Sequence, residues 1–240
     1  MNPEVIIVSP KTGGLIEENE ALMKLLTPGR LTKTLIKKAE EGTPLLRFGK
    51  GYPRIMLIAG LHGNELPPQI AATRMANILN NLKITGTIYL SPFAIPKATM
   101  DNLRRFDGFD MNRRASKNGS LPNAIIKLVK TLKIDALGDF HSTQKRTNPG
   151  VESVFCSKNP CYESYQMAKH ITDITSSKII CQKKAGTLYT GALEDESNLA
   201  GIPAVTCEVV SRNGGVDPGS PERSHCQMLA FLNYFGFKVL

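Results

Sequence analysis

The sequence predicts an α/β protein with a mixed, mainly parallel sheet flanked by helices. Short apolar runs typical of strands alternate along the chain with segments that carry apolar residues at helical spacing, and this order is typical of α/β folds. The composition, 41% hydrophobic and 21% charged, is that of an ordinary soluble globular protein. We expect residues 1–240 to form a single domain, because α/β folds commonly exceed ~200 residues as one unit.

The amino-terminal part of the chain predicts strands, helices and one hairpin. We expect residues 32–39 and 44–48 to pair as a β-hairpin through a turn at residues 40–43. A helix is predicted at residues 67–82, with prolines near its start, where helices tolerate them. The other predicted elements of this part are strands at residues 5–8, 55–59 and 87–90 and a helix at residues 18–26.

The carboxyl-terminal part continues the alternation of strands and helices. The predicted strands span residues 134–140, 151–156, 178–181 and 204–210. The predicted helices span residues 122–132, 162–172, 196–200 and 221–235. No internal repeat, low-complexity tract or linker interrupts this order.

Residues 54–65, RIMLIAGLHGNE, are the most informative stretch of the sequence. They combine an apolar strand with His62 and Glu65, which follow directly after the strand ends. In an open α/β sheet, that edge is where ligands bind. An imidazole and a carboxylate with two residues between them can reach one ion from a single turn, and zinc accepts both. The alternative is a polar loop that happens to contain a histidine and a glutamate.

A second predicted strand also ends in a histidine. A catalytic zinc needs three protein ligands and one open position, so the third ligand should come from another strand end. His141 follows the predicted strand at residues 134–140, and Asp139 is placed to orient its ring. The other two histidines, His170 and His225, lie in predicted helices, where a structural role is expected.

Glu208 is a lone carboxylate among the apolar and β-branched residues of the predicted strand at residues 204–210. Burying an unpaired carboxylate is costly, and such a group shifts its pKa rather than stay charged. A carboxyl group with a tuned pKa near a metal suits a general base that takes a proton from water. The alternative is an edge strand with Glu208 facing solvent.

Four arginines occur within the eleven residues 104–114. A guanidinium group binds a carboxylate through two parallel hydrogen bonds, and near a metal it can also stabilise an oxyanion. The segment therefore suits the binding of an anionic substrate. A solvated basic loop and a nucleic-acid contact are the alternatives.

Four elements, taken in order, resemble the zinc carboxypeptidase superfamily. They are residues 60–65 (GLHGNE), residues 110–113 (DMNR), residues 139–143 (DFHST) and Glu208. The G-x-H-G-N-E form most resembles the succinylglutamate desuccinylase/aspartoacylase branch. The resemblance implies a zinc-carboxypeptidase-like (phosphorylase/hydrolase-like) three-layer sandwich.

The resemblance also implies a metal site and a base. His62, Glu65 and His141 would bind one Zn²⁺ per chain. Glu208 would be the general base and then the general acid. A non-catalytic binding protein with a basic surface would not need all four of these residues. Their joint presence therefore favours an enzyme over such a binding protein.

Substrate-binding residues follow from the same resemblance. Asn112 and Arg113 would hold the substrate carboxylate. Arg105 would polarise the scissile carbonyl, with its neighbour Arg104 as a second candidate. Tyr189 is a candidate transition-state donor, and a structural tyrosine is the alternative.

The implied activity is zinc-dependent hydrolysis of an amide bond next to a free carboxylate, most like that of an N-acyl-amino-acid deacylase. The chain departs from the aspartoacylase pattern in two ways, so a small-peptide carboxypeptidase and a cell-wall (murein-type) peptide amidase remain alternatives. Aspartoacylases carry an arginine ten residues before the catalytic glutamate, where this chain has Asn198. The chain also ends 32 residues after Glu208, as expected of a minimal catalytic core.

Charge and composition indicate the partners and the compartment. The formal net charge of +9 favours anionic partners, here a small N-acyl amino acid or peptide. We expect no nucleic-acid partner, because the basic residues are scattered and the chain has no tryptophan. No apolar run is long enough for a membrane span, and no secretory signal is visible. Five cysteines without paired CxxC spacing indicate reduced thiols in the cytoplasm. The oligomeric state is not predicted.

Overall fold

A seven-stranded mixed sheet forms the centre of the computed structural model, which describes residues 3–239. The strands are β1 (Glu4–Ile7), β2 (Pro44–Ala59), β3 (Thr85–Ser91), β4 (Ala136–Thr143), β5 (Ser153–Ser157), β6 (Lys178–Gln182) and β7 (Ala204–Val210). The α-helices are α1 (Glu20–Met23), α2 (Arg30–Glu41), α3 (Leu66–Leu79), α4 (Pro96–Met100), α5 (Leu121–Thr131), α6 (Glu163–Ile174), α7 (Leu193–Leu199) and α8 (Ser220–Tyr234). Short 3-10 turns lie at Pro10–Thr12, Ile16–Glu18 and Met111–Arg113.

The strands follow the order β1-β2-β4-β7-β5-β6, with β3 paired to β2. The pairs β2–β3, β2–β4, β4–β7 and β5–β6 are parallel, whereas β1–β2 and β5–β7 are antiparallel. The predicted mixed, mainly parallel sheet is therefore confirmed. The carboxyl ends of β2, β4 and β7 lie side by side, and this edge is where an open sheet binds ligands.

The length of β2 is explained by its pairing with both edges of β3. Leu46 and Leu57 share Leu90 as their register partner. The partners of residues 46–49 run in the reverse order to those of residues 54–58, with register shifts between the two halves. The two strands predicted on either side of residues 49–53 are thus the ends of one element, with β3 between them.

The predicted hairpin at residues 32–48 is wrong in its first half, because residues 32–39 lie in helix α2. Leu31, Leu35 and Ala39 are buried at a spacing of four residues, which places them on one helix face. That face packs into the core, and the burial outweighs the strand preference of the β-branched residues in the segment.

Other boundaries shift in ways that affect the site. β4 continues to Thr143, so His141 lies inside the strand and not after it. α7 begins at Leu193, three residues before the predicted start, and so includes Glu194. The helix predicted at residues 18–26 is a 3-10 turn followed by the four-residue α1. α4 was not predicted.

Helices cover both faces of the sheet and form the expected three layers. Along β2, Ile55 and Leu57 pack into one apolar cluster together with residues of α2, α3, α6 and α8. Met56 and Ile58, which point to the opposite face, pack with residues of α4, α5 and α7. No helix within residues 3–239 is long and apolar enough to cross a membrane.

Candidate active site

The connection from β2 to α3 carries His62 and Glu65 to the edge of the sheet. Gly60 has a φ of 80°, in the left-handed region that favours glycine, and turns the chain away from β2. Gly63 lies so close to α4 that an added Cβ would overlap the backbone of Ala98 and Thr99. Only glycine at this position allows the connection to lie against α4.

His62, Glu65 and His141 form a buried cluster at this edge. Nδ1 of His62 lies 2.9 Å from Oε1 of Glu65, and Nδ1 of His141 lies 2.8 Å from Oε2 of the same carboxylate. The three residues are at most 5% exposed. Their ligand atoms all lie within 4.8 Å of one another, so the cluster can hold a metal ion.

A carboxylate stands behind each imidazole ring. Nε2 of His62 lies 2.8 Å from Oδ1 of Asp110, and Nε2 of His141 lies 2.8 Å from Oδ2 of Asp139. A histidine that binds a metal through one ring nitrogen commonly has a carboxylate at the other, which fixes the ring orientation. Asp139 is placed where the sequence indicated. The contact of Asp110 was missed, although this residue begins the DMNR motif.

The cluster and the carboxylates behind it contain more acidic side chains than imidazole rings. Burial opposes ionisation of Glu65, but the two histidines outweigh it and hold its pKa well below the usual range. Burial likewise disfavours the charged form of His141, but Asp139 and Glu65 raise its pKa well above the usual value. Three carboxylates, those of Glu65, Asp110 and Asp139, therefore surround two imidazole rings, an arrangement that a bound cation stabilises.

The structure brings Arg104, rather than Arg105, to the cluster. Arg104 donates to Oε1 of Glu65 at 2.7 Å and to Oδ2 of Asp110 at 3.3 Å. Arg105 is exposed and donates to the carbonyl of Gly108 at 3.2 Å. The family resemblance favoured Arg105, but its side chain bonds to the turn at Gly108 and not to the cluster.

Glu208 lies beside the cluster on β7. It is the register partner of His141, so the two side chains point to the same face of the sheet. β7 is paired on both sides, by β4 and β5, and the edge-strand alternative is therefore wrong. Oε2 of Glu208 is buried without a hydrogen-bond partner. Burial, reinforced by the negative charge of Glu65, raises the pKa of Glu208 to about 8.

A cleft with a cavity volume of about 80 Å³ opens beside Glu208, and we call it the arginine cleft. Arg104, Asn112, Arg113 and Tyr189 line it, so three of the predicted substrate residues lie together. The Oδ1 atom of Asn112 accepts a hydrogen bond from the backbone of Leu193 at 2.9 Å, which ties this wall to α7. The Tyr189 ring packs edge-on against Phe155 and lies 5.7 Å from the Arg113 guanidinium.

A second cleft, with a cavity volume of about 360 Å³, also reaches Glu208, and we call it the polar cleft. Its lining includes Asn64, Gln144, Thr147, Ser211, Arg212 and Asn213. The two clefts share Arg104, Asn148 and Glu208. An extended substrate can therefore pass the candidate base with one end in each cleft.

The sequence did not indicate the structural role of Asn198 or the position of Glu194 in the lining of the arginine cleft. Asn198 is fully buried and bonds within the fold, where its Nδ2 donates to Oε1 of Glu194 at 2.6 Å and its Oδ1 accepts from the Ala204 backbone at 3.1 Å. Glu194, which lines the cleft, was not identified. Glu194 and Asn198 are four residues apart, a spacing that brings two side chains together on a helix. This contact was not predicted, because the predicted helix began only at residue 196.

The fold and the His–Glu–His cluster define a carboxypeptidase-like α/β protein with a candidate metal site. Similar solved structures include a succinylglutamate desuccinylase/aspartoacylase from Rhodobacter sphaeroides, with 16% identity, a TM-score of 0.62 and coverage of 83% of this chain and 61% of that chain. A metallo-carboxypeptidase from Burkholderia cenocepacia has 15% identity, a TM-score of 0.62 and coverage of 98% and 65%. The tripeptide-bound cell shape determinant Csd4 from Helicobacter pylori has 16% identity, a TM-score of 0.62 and coverage of 83% and 58%.

Residues 52–233 match the model of the succinylglutamate desuccinylase/aspartoacylase catalytic domain. The chain therefore belongs to this family, and the predicted resemblance is confirmed. No match was found among the curated proteins. The chain spans about three fifths of the length of the solved structures that it matches. Family and fold together support a hydrolase.

Proposed function

We propose that this chain is a zinc-dependent hydrolase that cleaves an amide bond next to a free carboxylate, most like an N-acyl-amino-acid deacylase. The observation that carries the proposal is the convergence of both histidine Nδ1 atoms on Glu65, beside Glu208 and Arg104. The family match supports the same reaction class.

The ligand set suits zinc. Two imidazoles and one carboxylate, with a fourth position open, are a known ligand set of catalytic zinc sites. His62, Glu65 and His141 would hold the ion, with Asp110 and Asp139 fixing the rings. When bound, zinc supplies a Lewis acid that polarises a carbonyl and lowers the pKa of water toward ~7.

The protein's own groups carry the proton transfers. The ionised form of Glu208 takes a proton from the attacking water and returns it to the leaving amine as the carbon–nitrogen bond breaks. Arg104, which lines the arginine cleft, would stabilise the oxyanion that develops on the carbonyl. Arg113 and Asn112 bind the free carboxylate of the substrate, and Tyr189 closes the wall beside them.

A small-peptide carboxypeptidase or a cell-wall peptide amidase is the second candidate. The polar cleft favours it, because side chains of its lining such as Gln144 and Thr147 can exchange hydrogen bonds with the amides of a peptide, whereas a short alkyl acyl group supplies few donors and acceptors. The similar Csd4 structure was solved with a bound tripeptide.

N-acetyl-aspartate should be a poor substrate under either candidate. Asn198 stands at the position of the aspartoacylase arginine, and its side chain is bonded to Glu194 and Ala204 rather than turned into the cleft.

A hydrolysis screen with added zinc tests the proposal. It compares N-acyl amino acids with α-linked and γ-linked peptides, using the parent chain and Glu208→Gln. The variant keeps the shape of the side chain and should retain zinc but lose ~10²–10⁴-fold in kcat, the usual contribution of acid–base catalysis. Glu163→Gln, an exposed carboxylate on α6, is the control. Parental turnover by Glu208→Gln would contradict the assignment of the base.

A further inference from the structure

Glu194 lies in the lining of the arginine cleft but has no part in the proton transfers assigned above. Its side chain is 1% exposed. Apolar side chains of the same lining, among them Phe155 and Ala192, lie beside polar ones such as Thr206. A carboxyl group in such a wall needs a partner, because burying it without one is costly.

The fold supplies Glu194 with one polar partner and no basic one. Nδ2 of Asn198 donates to its Oε1 at 2.6 Å, and within residues 3–239 no hydrogen bond reaches Oε2. The adjacent Asp195 is also fully buried, and its Oδ1 accepts from the backbone of Gly186 at 2.8 Å. Two carboxyl groups therefore sit side by side at the start of α7.

The electrostatic surroundings make Glu194 a receptor for positive charge. Burial, followed by the negative charge of Asp195, raises its pKa to about 8, and Asp139 acts in the same direction. The hydrogen bond from Asn198 offsets this only in part. A cation brought by a ligand would pair with Glu194 in a dry site, where charge-assisted hydrogen bonds are strong.

We propose that Glu194 selects substrates whose carboxylate-bearing amino acid has a side chain that ends in a primary ammonium group. The inference rests on the proposed function, since Arg113 and Asn112 must hold the free carboxylate of the same amino acid. An ammonium group fits better than an amide or a hydroxyl, because only a positive charge compensates the adjacent pair Glu194 and Asp195.

The test compares kcat/KM for Nα-acetyl-lysine and Nα-acetyl-norleucine, whose side chains are similar in length but differ in charge. The wild-type chain should prefer the lysine derivative by ~10-fold or more, mainly through KM, as expected for a hydrogen bond to a charged group. Glu194→Gln should bring the ratio close to one. Glu196→Gln removes a carboxylate from the same helix outside the cleft lining and should keep the wild-type ratio.

A binding measurement keeps the inference separate from the proposed function. Calorimetry with free lysine and free norleucine on the zinc-loaded wild-type chain needs no turnover. At pH 7, lysine should bind more tightly and release a proton, because the incoming ammonium ionises Glu194.

The outcomes of the two measurements are distinct. A chain that hydrolyses neither derivative but binds lysine with proton release would contradict the proposed hydrolysis and support the role of Glu194. Equal binding of lysine and norleucine, or a lysine preference that persists in Glu194→Gln, would overturn the inference whatever the activity.

Discussion

At the scale of single residues, the two histidines of the cluster differ in what holds each ring. Asp139, behind His141, is fully buried in β4, whereas the side chain of Asp110, behind His62, is 25% exposed in a loop. A buried carboxylate has fewer alternative partners, so we expect His141 to be the more rigid ligand. Both histidines are nevertheless needed to complete the set of three donors.

The purified chain should contain one zinc per molecule, and His62→Ala or His141→Ala should each lose most of it. Each substitution leaves only two protein ligands, too few for a catalytic zinc site. Elemental analysis after dialysis gives the stoichiometry. His170→Ala removes a histidine that packs against Tyr234 on α8, away from the cluster, and is the control. Parental zinc content in both ligand variants would refute the site.

Glu194 should make the folded state less stable as pH rises. Below about pH 4.5 its carboxyl is protonated in both the folded and unfolded states, and between about 4.5 and 8 only the folded state keeps the proton. Stability is therefore fully present at low pH and falls as pH rises toward 8, by ~1.4 kcal/mol per unit of pKa difference.

Urea unfolding of Glu194→Gln between pH 5 and 9 checks this sign. The variant has no group to ionise at this position, so its free energy of unfolding should fall less than that of the wild-type chain over the same range. Glu163→Gln, with an exposed carboxylate, should follow the wild-type curve. Identical pH dependence in all three chains would show that Glu194 ionises normally in the fold.

The position of a single residue could be predicted from the sequence where it lies in or next to a strand, but less well where it lies within a loop. His62, His141 and Glu208 were recognisable because each follows or interrupts an apolar strand. The choice between Arg104 and Arg105 depended on how the turn at Gly108 directs two neighbouring side chains, which spacing does not reveal.

At the scale of elements, the connection between β2 and α3 is the most constrained part of the site. Gly63→Ala should disturb it, because the added methyl group would overlap the backbone of Ala98 and Thr99 and push the loop from α4. We expect ~1–3 kcal/mol lower stability together with weaker zinc retention, since His62 and Glu65 flank this glycine.

Thermal unfolding and zinc analysis of Gly63→Ala measure both effects. Gly29→Ala is the matched control, because its added Cβ would approach no atom closer than 3.4 Å. A Gly63→Ala chain with parental zinc content and stability would show that the loop can move without loss of the ligand cluster.

Strands were predicted more reliably than the segment around α2. The strand at residues 204–210 matches β7 at both ends, because a short apolar run between turn residues has one interpretation. Residues 32–39 combine β-branched side chains with apolar residues every four positions, and local preference pointed to a strand. The tertiary contacts that decide for a helix come from the core, which the local sequence does not display.

At the scale of the whole molecule, the basic residues are distributed over several elements of the fold. Basic residues pair with nearby carboxylates on several elements, as in Lys38–Glu41 on α2, Arg47–Glu4 between β2 and β1, and Lys169–Asp173 on α6. The net charge of +9 creates a general attraction for anions.

We expect no specific affinity for DNA or RNA at physiological salt. Any binding at low salt should weaken steeply as salt is added, because phosphate contacts made by scattered lysines and arginines act through counterion release. Fluorescence anisotropy with labelled duplexes and single strands across a salt series is the measurement. Tight, sequence-selective binding at physiological salt would favour the non-catalytic binding protein instead.

The position of β7 between β4 and β5 has a consequence for partial unfolding. Within residues 3–239, β5 and β6 join the rest of the sheet only through β7, which also carries Glu208. A local opening that separates β7 from β4 divides the sheet and removes Glu208 from His141 in the same event. A chain open in this way would keep the three proposed metal donors on the other part of the sheet but would have no proposed base beside them. If the proposed function holds, metal retention and turnover would therefore report on different fractions of the population when the chain is stressed.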